Sequence, residues 1–211
     1  MNIGIMGGTF NPIHNGHLAL AKAAMEQFPL DTVWFMPSGL PAHKSNDELA
    51  DGSHRLNMTK LALIGQKGFE ASDFELKQEG YTYTANTLSA LSKLYPSDTF
   101  YFIIGGDSLM KFLCWRNPEV ILQKAILLAA GRDGFTKEEL AEQAELLRRT
   151  YHARIHFVEM EEITVSSHEI RAYCKNGQYK KVSKYLPEAV LDYIKEKNLF
   201  EKTAESEAVY G

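Results

Sequence analysis

The chain has 211 residues, of which 45% are hydrophobic and 24% charged, as is typical of one globular domain with a buried core. A formal net charge of −4 without any Lys/Arg-rich run argues against long nucleic acids as partners, because binding them requires many phosphates to be neutralised. No apolar run approaches about 18 residues and the N-terminal MNIGIMG lacks a basic leader, so we predict no membrane partner and a cytoplasmic location.

Short apolar runs alternate with longer amphipathic ones along most of the chain. The apolar runs predict strands at 2–7, 32–37, 69–76, 99–105, 125–131 and 154–160. The amphipathic runs predict helices at 17–28, 53–65, 84–95, 107–123 and 136–150, and further helices at 166–176, 178–184 and 187–197. This alternation predicts an α/β fold, a doubly wound parallel sheet with a small C-terminal helical extension.

The end of the chain differs in composition from the rest. We predict one α/β domain over 1–165, a helical part over 166–200 and a disordered polar tail over 201–211 (EKTAESEAVYG). The two cysteines, Cys114 and Cys174, match neither a disulfide framework nor a metal-ligand spacing.

The most informative segment is GGTFNPIHNGHL, which runs from Gly7 to Leu18 between the first strand and the first helix. We expect Gly7 and Gly8 to let the backbone approach a phosphate and to adopt dihedral angles closed to other residues. His14 and His17 are three residues apart, so at the start of a helix they project on the same side. Two imidazoles at a helix N-terminus favour an anionic ligand and predict charge neutralisation on a phosphoryl group.

Three other interpretations of this segment are disfavoured. An ordinary dinucleotide-binding turn is disfavoured because the GxGxxG spacing is absent. A metal site would need a third ligand near His14 and His17, and no Cys or carboxylate stands at a familiar spacing. A purely structural role for both histidines is equally disfavoured, so the sequence predicts a phosphate site and no protein metal site.

A second motif, VSSHEIR, spans 165–171. Ser166 with Glu169 three residues later is typical of a helix N-cap. The free N–H groups of that helix, the Ser167 hydroxyl and the Arg171 guanidinium would form a second anion site. Taken alone, the motif fits a capped surface helix with an exposed arginine better. Its combination with the histidine motif favours a triphosphate.

Two segments in the middle of the chain also follow predicted strands. In IIGGDSL, Gly105 and Gly106 would admit a ligand, while Asp107 fits both a helix N-cap and an acceptor for ribose hydroxyls. In MPSGLPAHK, Lys44 is a candidate phosphate ligand, and a solvated lysine fits nearly as well.

These motifs resemble those of one enzyme family. HNGH matches the HxGH signature of the nucleotidyltransferase superfamily, and GGTFxPxHxGH resembles nicotinate-nucleotide adenylyltransferases in particular. VSSHEIR is similar to the family's ISSTxIR, with Val165 in place of Ile and His168 in place of Thr. YTYTANTL resembles the family's SYTxxTL, with Thr82 in place of Ser.

The resemblance implies a Rossmann-like fold and transfer of the adenylyl group of ATP to nicotinate mononucleotide, with Mg²⁺ carried on the ATP phosphates. It implies that His14 and His17 are catalytic. For ATP binding it implies Gly7, Gly8, Thr9, Phe10, His17, Gly105, Asp107, Arg132, Ser166, Ser167 and Arg171. For nicotinate mononucleotide it implies Lys44, Tyr83, Thr84, Asp107 and Trp115. A homo-oligomer is compatible with it.

Other functions remain as alternatives. Within the superfamily the chain could be a pantetheine-phosphate adenylyltransferase or a cytidylyltransferase, against which Trp115 and the YTYTANTL segment count. A nucleotide-sensing module without turnover is the alternative from another class. A dinucleotide-dependent oxidoreductase is the least favoured, since its glycine spacing is missing.

Overall fold

A computed structural model describes residues 1–41, 49–130, 134–161 and 165–201. The strands in this part of the chain are β1 Asn2–Gly8, β2 Thr32–Pro37, β3 Leu40–Pro41, β4 Phe69–Ala71, β5 Tyr81–Thr82, β6 Thr99–Ile104, β7 Ala125–Ala130 and β8 Ile155–Val158. The α-helices are α1 Asn15–Gln27, α2 Gly52–Ala62, α3 Thr84–Leu94, α4 Gly106–Met110, α5 Pro118–Lys124, α6 Lys137–Tyr151, α7 Ser167–Lys175, α8 Tyr179–Val182 and α9 Glu188–Glu196.

Six of these strands form one parallel sheet in the order β4-β2-β1-β6-β7-β8. In chain order this is the third, second, first, fourth, fifth and sixth strand, the arrangement of Rossmann-type folds. The predicted doubly wound α/β fold is therefore confirmed. The direction of strand succession reverses between β1 and β6, and ligands of such sheets bind at the carboxyl ends of the strands beside this reversal.

The strands are apolar at successive positions because both faces of the sheet are covered. In β6, Phe100 and Phe102 pack into one core with α3, α5 and α6, while Tyr101 and Ile103 face the other core. That other core also receives α1, α2 and the C-terminal helices, through residues that include Ile170, Cys174, Val190 and Ile194. The helices after residue 165 thus share the hydrophobic core that packs against α1.

Two predicted elements were wrong in extent. The strand predicted over 69–76 ends at Ala71. Ser72 still donates its N–H to Phe35 O of β2 (2.8 Å), and a turn follows in which Lys77 donates its N–H to Asp73 O (3.2 Å). The helix predicted over 107–123 is interrupted between α4 and α5 by a short 3₁₀ helix, Phe112–Cys114. Asn117 has a left-handed φ of 53° and Pro118 opens α5, so the chain starts a new helix there.

Two further features complete the fold. Strands β3 and β5, which the sequence patterns did not predict, pair in a separate two-stranded parallel sheet. Across the described ranges, every helix is too short or too polar to traverse a bilayer.

Candidate active site

The loop after β1 begins the site at the carboxyl edge of the sheet. Gly7 and Gly8 are the last residues of β1 and neither has a positive φ, so the expectation of unusual dihedral angles at these glycines was wrong. The left-handed conformation falls instead on Phe10, with φ of 47°. Close packing explains Gly8, because a Cβ there would lie 3.0 Å from Cε1 of Phe10.

The two histidines lie together at the start of α1, as their spacing predicted. His14 is the N-cap residue, and its backbone N–H donates to Nδ1 of His17 (3.2 Å). The two rings stack with centroids 3.7 Å apart, and the His17 ring also meets the Phe10 ring edge-on at 5.1 Å. These contacts fix both imidazoles in one orientation beside the loop that follows β1.

Burial determines the charge of His14. Its side chain is almost fully enclosed, and the loss of water lowers the pKa of the imidazole to about 4. Its Nδ1 is buried and has no hydrogen-bond partner among the described residues. His14 is therefore neutral at pH 7 in this structure, and a bound phosphate would favour its protonation.

Gly16 connects the first motif to the second. A Cβ at this position would lie 3.1 Å from Nδ1 of His14 and 3.3 Å from Cγ1 of Val165. The space beside Gly16 is thus occupied by the His14 ring and by Val165, the first residue of VSSHEIR. The glycine is needed so that the two motifs can pack together.

The start of α7 confirms the predicted cap and adds a connection. Ser166 is the N-cap, and its Oγ accepts the N–H of Glu169 (3.1 Å). Ser167 Oγ donates to the carbonyl of Pro12 (2.9 Å), although 155 residues separate them. Nη1 of Arg171 donates to the carbonyl of Asn11 (3.0 Å). The structure thus brings the two predicted motifs to one place and joins them by hydrogen bonds.

The remaining residues assigned to ATP lie in two places. Gly105 is the N-cap of α4 at the carboxyl end of β6, and Asp107 is an exposed residue in the first turn. The prediction that Asp107 itself caps the helix was wrong, because Gly105 holds the extended backbone conformation of the cap. Arg132, like Lys44 of the other substrate's set, lies outside the described residues.

A cavity of about 220 Å³ opens beside the β1 loop. Tyr83, Thr84 and Trp115, which the sequence analysis assigned to one substrate, all line it together with Gly7, Gly8 and Thr9. Tyr83 is the N-cap of α3, so the unpaired N–H groups of that helix start beside the cavity. Trp115 is half-buried and stacks on Phe112 with centroids 5.3 Å apart.

Sequence reasoning missed Arg55, a buried cation with 2% of its surface exposed. Its Nε donates to Ala50 O (3.0 Å), its Nη1 to Thr9 O (2.9 Å) and its Nη2 to Gly39 O (3.2 Å). One side chain therefore holds the segments after β1 and β2 and the segment before α2. The spacing with Met58 and Ala62 on the buried face of α2 is the signal that could have identified it.

Glu75 was also missed. Glu75 is one of the residues that line the cavity, and its carboxyl group accepts a hydrogen bond from Thr87 Oγ1 (2.7 Å) in the first turns of α3. Burial raises the pKa of Glu75, opposed by that hydrogen bond and by the charge of Arg55. Glu75 lies in a turn without periodicity, so nothing local in the sequence indicated it.

The described residues contain no group of three or more His, Cys, Asp or Glu side chains that could hold a metal ion. An all-protein metal cage is therefore not present in this part of the chain. The chemistry that the arrangement supports is anion binding, by helix N-termini, imidazoles and hydroxyl groups.

Comparison with known proteins shows the family to which the chain belongs. A family model described as cytidylyltransferase-like matches residues 5–173, most of the chain, so the protein belongs to that family of nucleotidyltransferases. A probable nicotinate-nucleotide adenylyltransferase from Lachnoclostridium phytofermentans is 45% identical, over 91% of this chain and 95% of its own. Another from Moorella thermoacetica is 39% identical, over 94% of this chain and 91% of its own. Within the wider family, the chain is thus a member of the nicotinate-nucleotide adenylyltransferases, as the motifs indicated.

Solved structures agree with the fold. The nicotinic acid mononucleotide adenylyltransferase of Plasmodium falciparum, complexed with NaAD, superposes with a TM-score of 0.78 at 23% identity. The superposition covers 94% of this chain and 97% of the other. At this identity the similarity shows a shared fold.

Proposed function

We propose that this enzyme transfers the adenylyl group of ATP to nicotinate mononucleotide, forming nicotinate adenine dinucleotide and pyrophosphate. One observation carries the proposal. The hydrogen bonds from Ser167 to Pro12 and from Arg171 to Asn11 bring two helix starts together, next to a cavity lined by Trp115. Two neighbouring anion sites suit a triphosphate, and an aromatic cavity suits a planar ring.

In the proposed reaction, a phosphate oxygen of nicotinate mononucleotide attacks the α-phosphorus of ATP, and the bond to the β-phosphate oxygen breaks as pyrophosphate leaves. No protein nucleophile takes part. His14 and His17 neutralise charge on the phosphates in transfer, and their mutual stacking holds them in position. Burial lowers the pKa of His14 to about 4, and a phosphate beside the ring would act in the opposite direction by favouring the protonated form.

The ATP side of the site is assigned to three segments. Gly7, Gly8, Thr9 and Phe10 form the loop after β1, and Gly105 and Asp107 lie at the end of β6. The start of α7, with Ser166, Ser167 and Arg171, completes the site from the helical part over 166–200 and holds the leaving pyrophosphate. Arg132 remains a predicted contact near the nucleotide.

The second substrate is assigned to the cavity. Trp115 stacks on the pyridine ring, and the N–H groups around Thr84 at the start of α3 bind the nicotinate carboxylate. Asp107 accepts from the ribose hydroxyls, and Lys44 remains a predicted phosphate contact.

Magnesium enters with ATP. Mg²⁺ prefers oxygen ligands and retains waters, so triphosphate oxygens can hold it without a protein cage. When bound, the ion supplies charge neutralisation on the phosphates.

Pyrophosphate release from Mg·ATP tests the proposal, measured in parallel with nicotinate mononucleotide, nicotinamide mononucleotide and phosphopantetheine. We expect the fastest release with nicotinate mononucleotide. Release with phosphopantetheine alone would replace the proposed substrate within the same superfamily. Tight ATP binding without any release would favour a nucleotide-sensing module.

A further inference from the structure

One acidic residue, Glu75, and one basic residue, Arg116, line the cavity. Glu75 is buried and bonded to Thr87, whereas Arg116 is exposed and immediately follows Trp115. A cavity that receives a carboxylate would be opposed by an ionised Glu75. A nearby cation can offset that opposition, and Arg116 is the described lining residue that supplies one.

Tyr83 holds the Arg116 side chain in place. The guanidinium carbon lies 4.5 Å from the centroid of the Tyr83 ring, a cation–π contact. Tyr83 is the N-cap of α3, so this contact ties Arg116 to the residue that precedes the free N–H groups of the helix start. A guanidinium carries five N–H donors, so a cation–π contact leaves donors available to a carboxylate.

We propose that Arg116 is a specificity-determining residue that selects a pyridine ring bearing a carboxylate over one bearing a carboxamide. The inference rests on the proposed function and deepens it. Nicotinate and nicotinamide mononucleotides share the ribose and the phosphate, and they differ by one negative charge on the ring substituent. A cation at the start of α3 acts on that difference, in addition to the neutral backbone donors there.

The phosphate of the same substrate is the competing target for Arg116. The structure favours the carboxylate, because the Arg116 guanidinium contacts the ring of Tyr83, the N-cap residue of α3, whereas both histidines lie at the start of α1. The two targets predict different results, since a phosphate contact would be lost equally for both mononucleotides.

The experiment uses the full-length chain with Arg116→Gln and Arg116→Lys, and Arg149→Gln as a control that removes an exposed arginine from α6. The dissociation constants of both mononucleotides are measured by calorimetry, and kcat/KM for both by pyrophosphate release. For Arg116→Gln we expect affinity and kcat/KM for nicotinate mononucleotide to fall about tenfold, and those for nicotinamide mononucleotide at most about twofold. Arg116→Lys keeps the charge without the planar fork, so an intermediate loss of about threefold is expected.

Three outcomes would overturn the inference: equal losses for both mononucleotides, no loss for either, or the same selective loss in Arg149→Gln. Failure of the proposed function would appear separately, because the wild-type protein would then release no pyrophosphate with nicotinate mononucleotide. Calorimetry still tests the role of Arg116 in that case. If Arg116→Gln binds nicotinate mononucleotide as tightly as the wild type does, the proposed role of Arg116 is contradicted.

Discussion

The starts of α1 and α7 are both assigned to phosphates, yet they are built differently. At α7, Ser166 caps the helix and Ser167 and Arg171 donate to backbone carbonyls of the β1 loop. At α1, the N-cap is His14, whose buried Nδ1 has no partner in the described part of the chain. The α7 start therefore fixes the loop, while the α1 start carries a buried imidazole whose pKa is lowered to about 4 by the loss of water. Substitutions at the start of α1 should therefore affect turnover and the pH dependence of stability, and those at the start of α7 should affect stability and the KM for ATP.

The largest expected effect is on turnover, at the α1 start. In His17→Ala we expect kcat to fall about a thousandfold, because a charge-neutralising contact in the transition state is lost. Pyrophosphate release measures the change, and thermal unfolding should show a fold that is intact. His156→Ala, which removes an exposed histidine from β8, is the control. Turnover retained in His17→Ala would disprove the proposed mechanism.

The pH dependence of stability is a second property in which the start of α1 should differ from the start of α7. The pKa of His14 lies near 6.5 when unfolded and about 4 when folded, so the unfolded chain binds the proton more readily. The stabilisation from a neutral His14 is complete above pH 6.5 and is lost as the pH falls towards 4, a change of about 3 kcal/mol. Urea unfolding from pH 7 to pH 4 measures it.

The matched variant for this prediction is His14→Asn, which keeps a good N-cap and does not titrate in that range. Its free energy of unfolding should decline less than that of the wild type between pH 6.5 and 4. Parallel declines in the two proteins would contradict the assignment of the pH effect to His14.

Substitution of Arg55 tests how far the loop after β1 depends on the hydrogen bonds that this side chain donates. Lysine at this position keeps a charge, but its single nitrogen cannot satisfy three carbonyl groups on separate segments. We expect Arg55→Lys to lower the free energy of unfolding by about 2 kcal/mol and to reduce turnover. Chemical denaturation measures the loss, with Arg149→Lys on α6 as the control. If both variants unfold alike, Arg55 does not support the loop.

The smallest expected effect is at the α7 start. Ser167→Ala removes the hydrogen bond to Pro12 O, and we expect a loss of about 1 kcal/mol in stability together with a raised KM for ATP. Ser183→Ala removes a comparable bond, from Ser183 Oγ to Lys180 O (3.0 Å), away from the site. The control should leave KM for ATP as in the wild type. An equal rise in both variants would remove the reason for assigning Ser167 to the site.

Sequence patterns correctly predicted the features that depend on neighbouring residues, such as buried strands and helix caps. Strand β6 is apolar on both faces because it is covered on both faces, and Ser166 with Glu169 caps a helix within four residues. Tyr83 and Trp115 were placed in one site by resemblance to a family, and the structure brings them to one cavity. The roles of the individual site residues in binding and catalysis remain predictions.

Contacts between distant segments could not be predicted in this way. The three carbonyls bound by Arg55 come from residues that no periodicity relates, and Glu75 faces the cavity from an irregular turn. The break before α5 depends on one left-handed residue, Asn117, inside a run that is otherwise compatible with a helix. Tertiary packing decides each of these features.

The bonds from Ser167 to Pro12 and from Arg171 to Asn11 have a consequence for protein synthesis. A ribosome makes the loop that carries His14 among the first residues and the start of α7 roughly 150 residues later, on the order of ten seconds afterwards at typical elongation rates. Throughout that interval the carbonyls of Asn11 and Pro12 have no partner from α7. A nascent chain released before residue 171 therefore lacks an assembled site, however completely its sheet has folded.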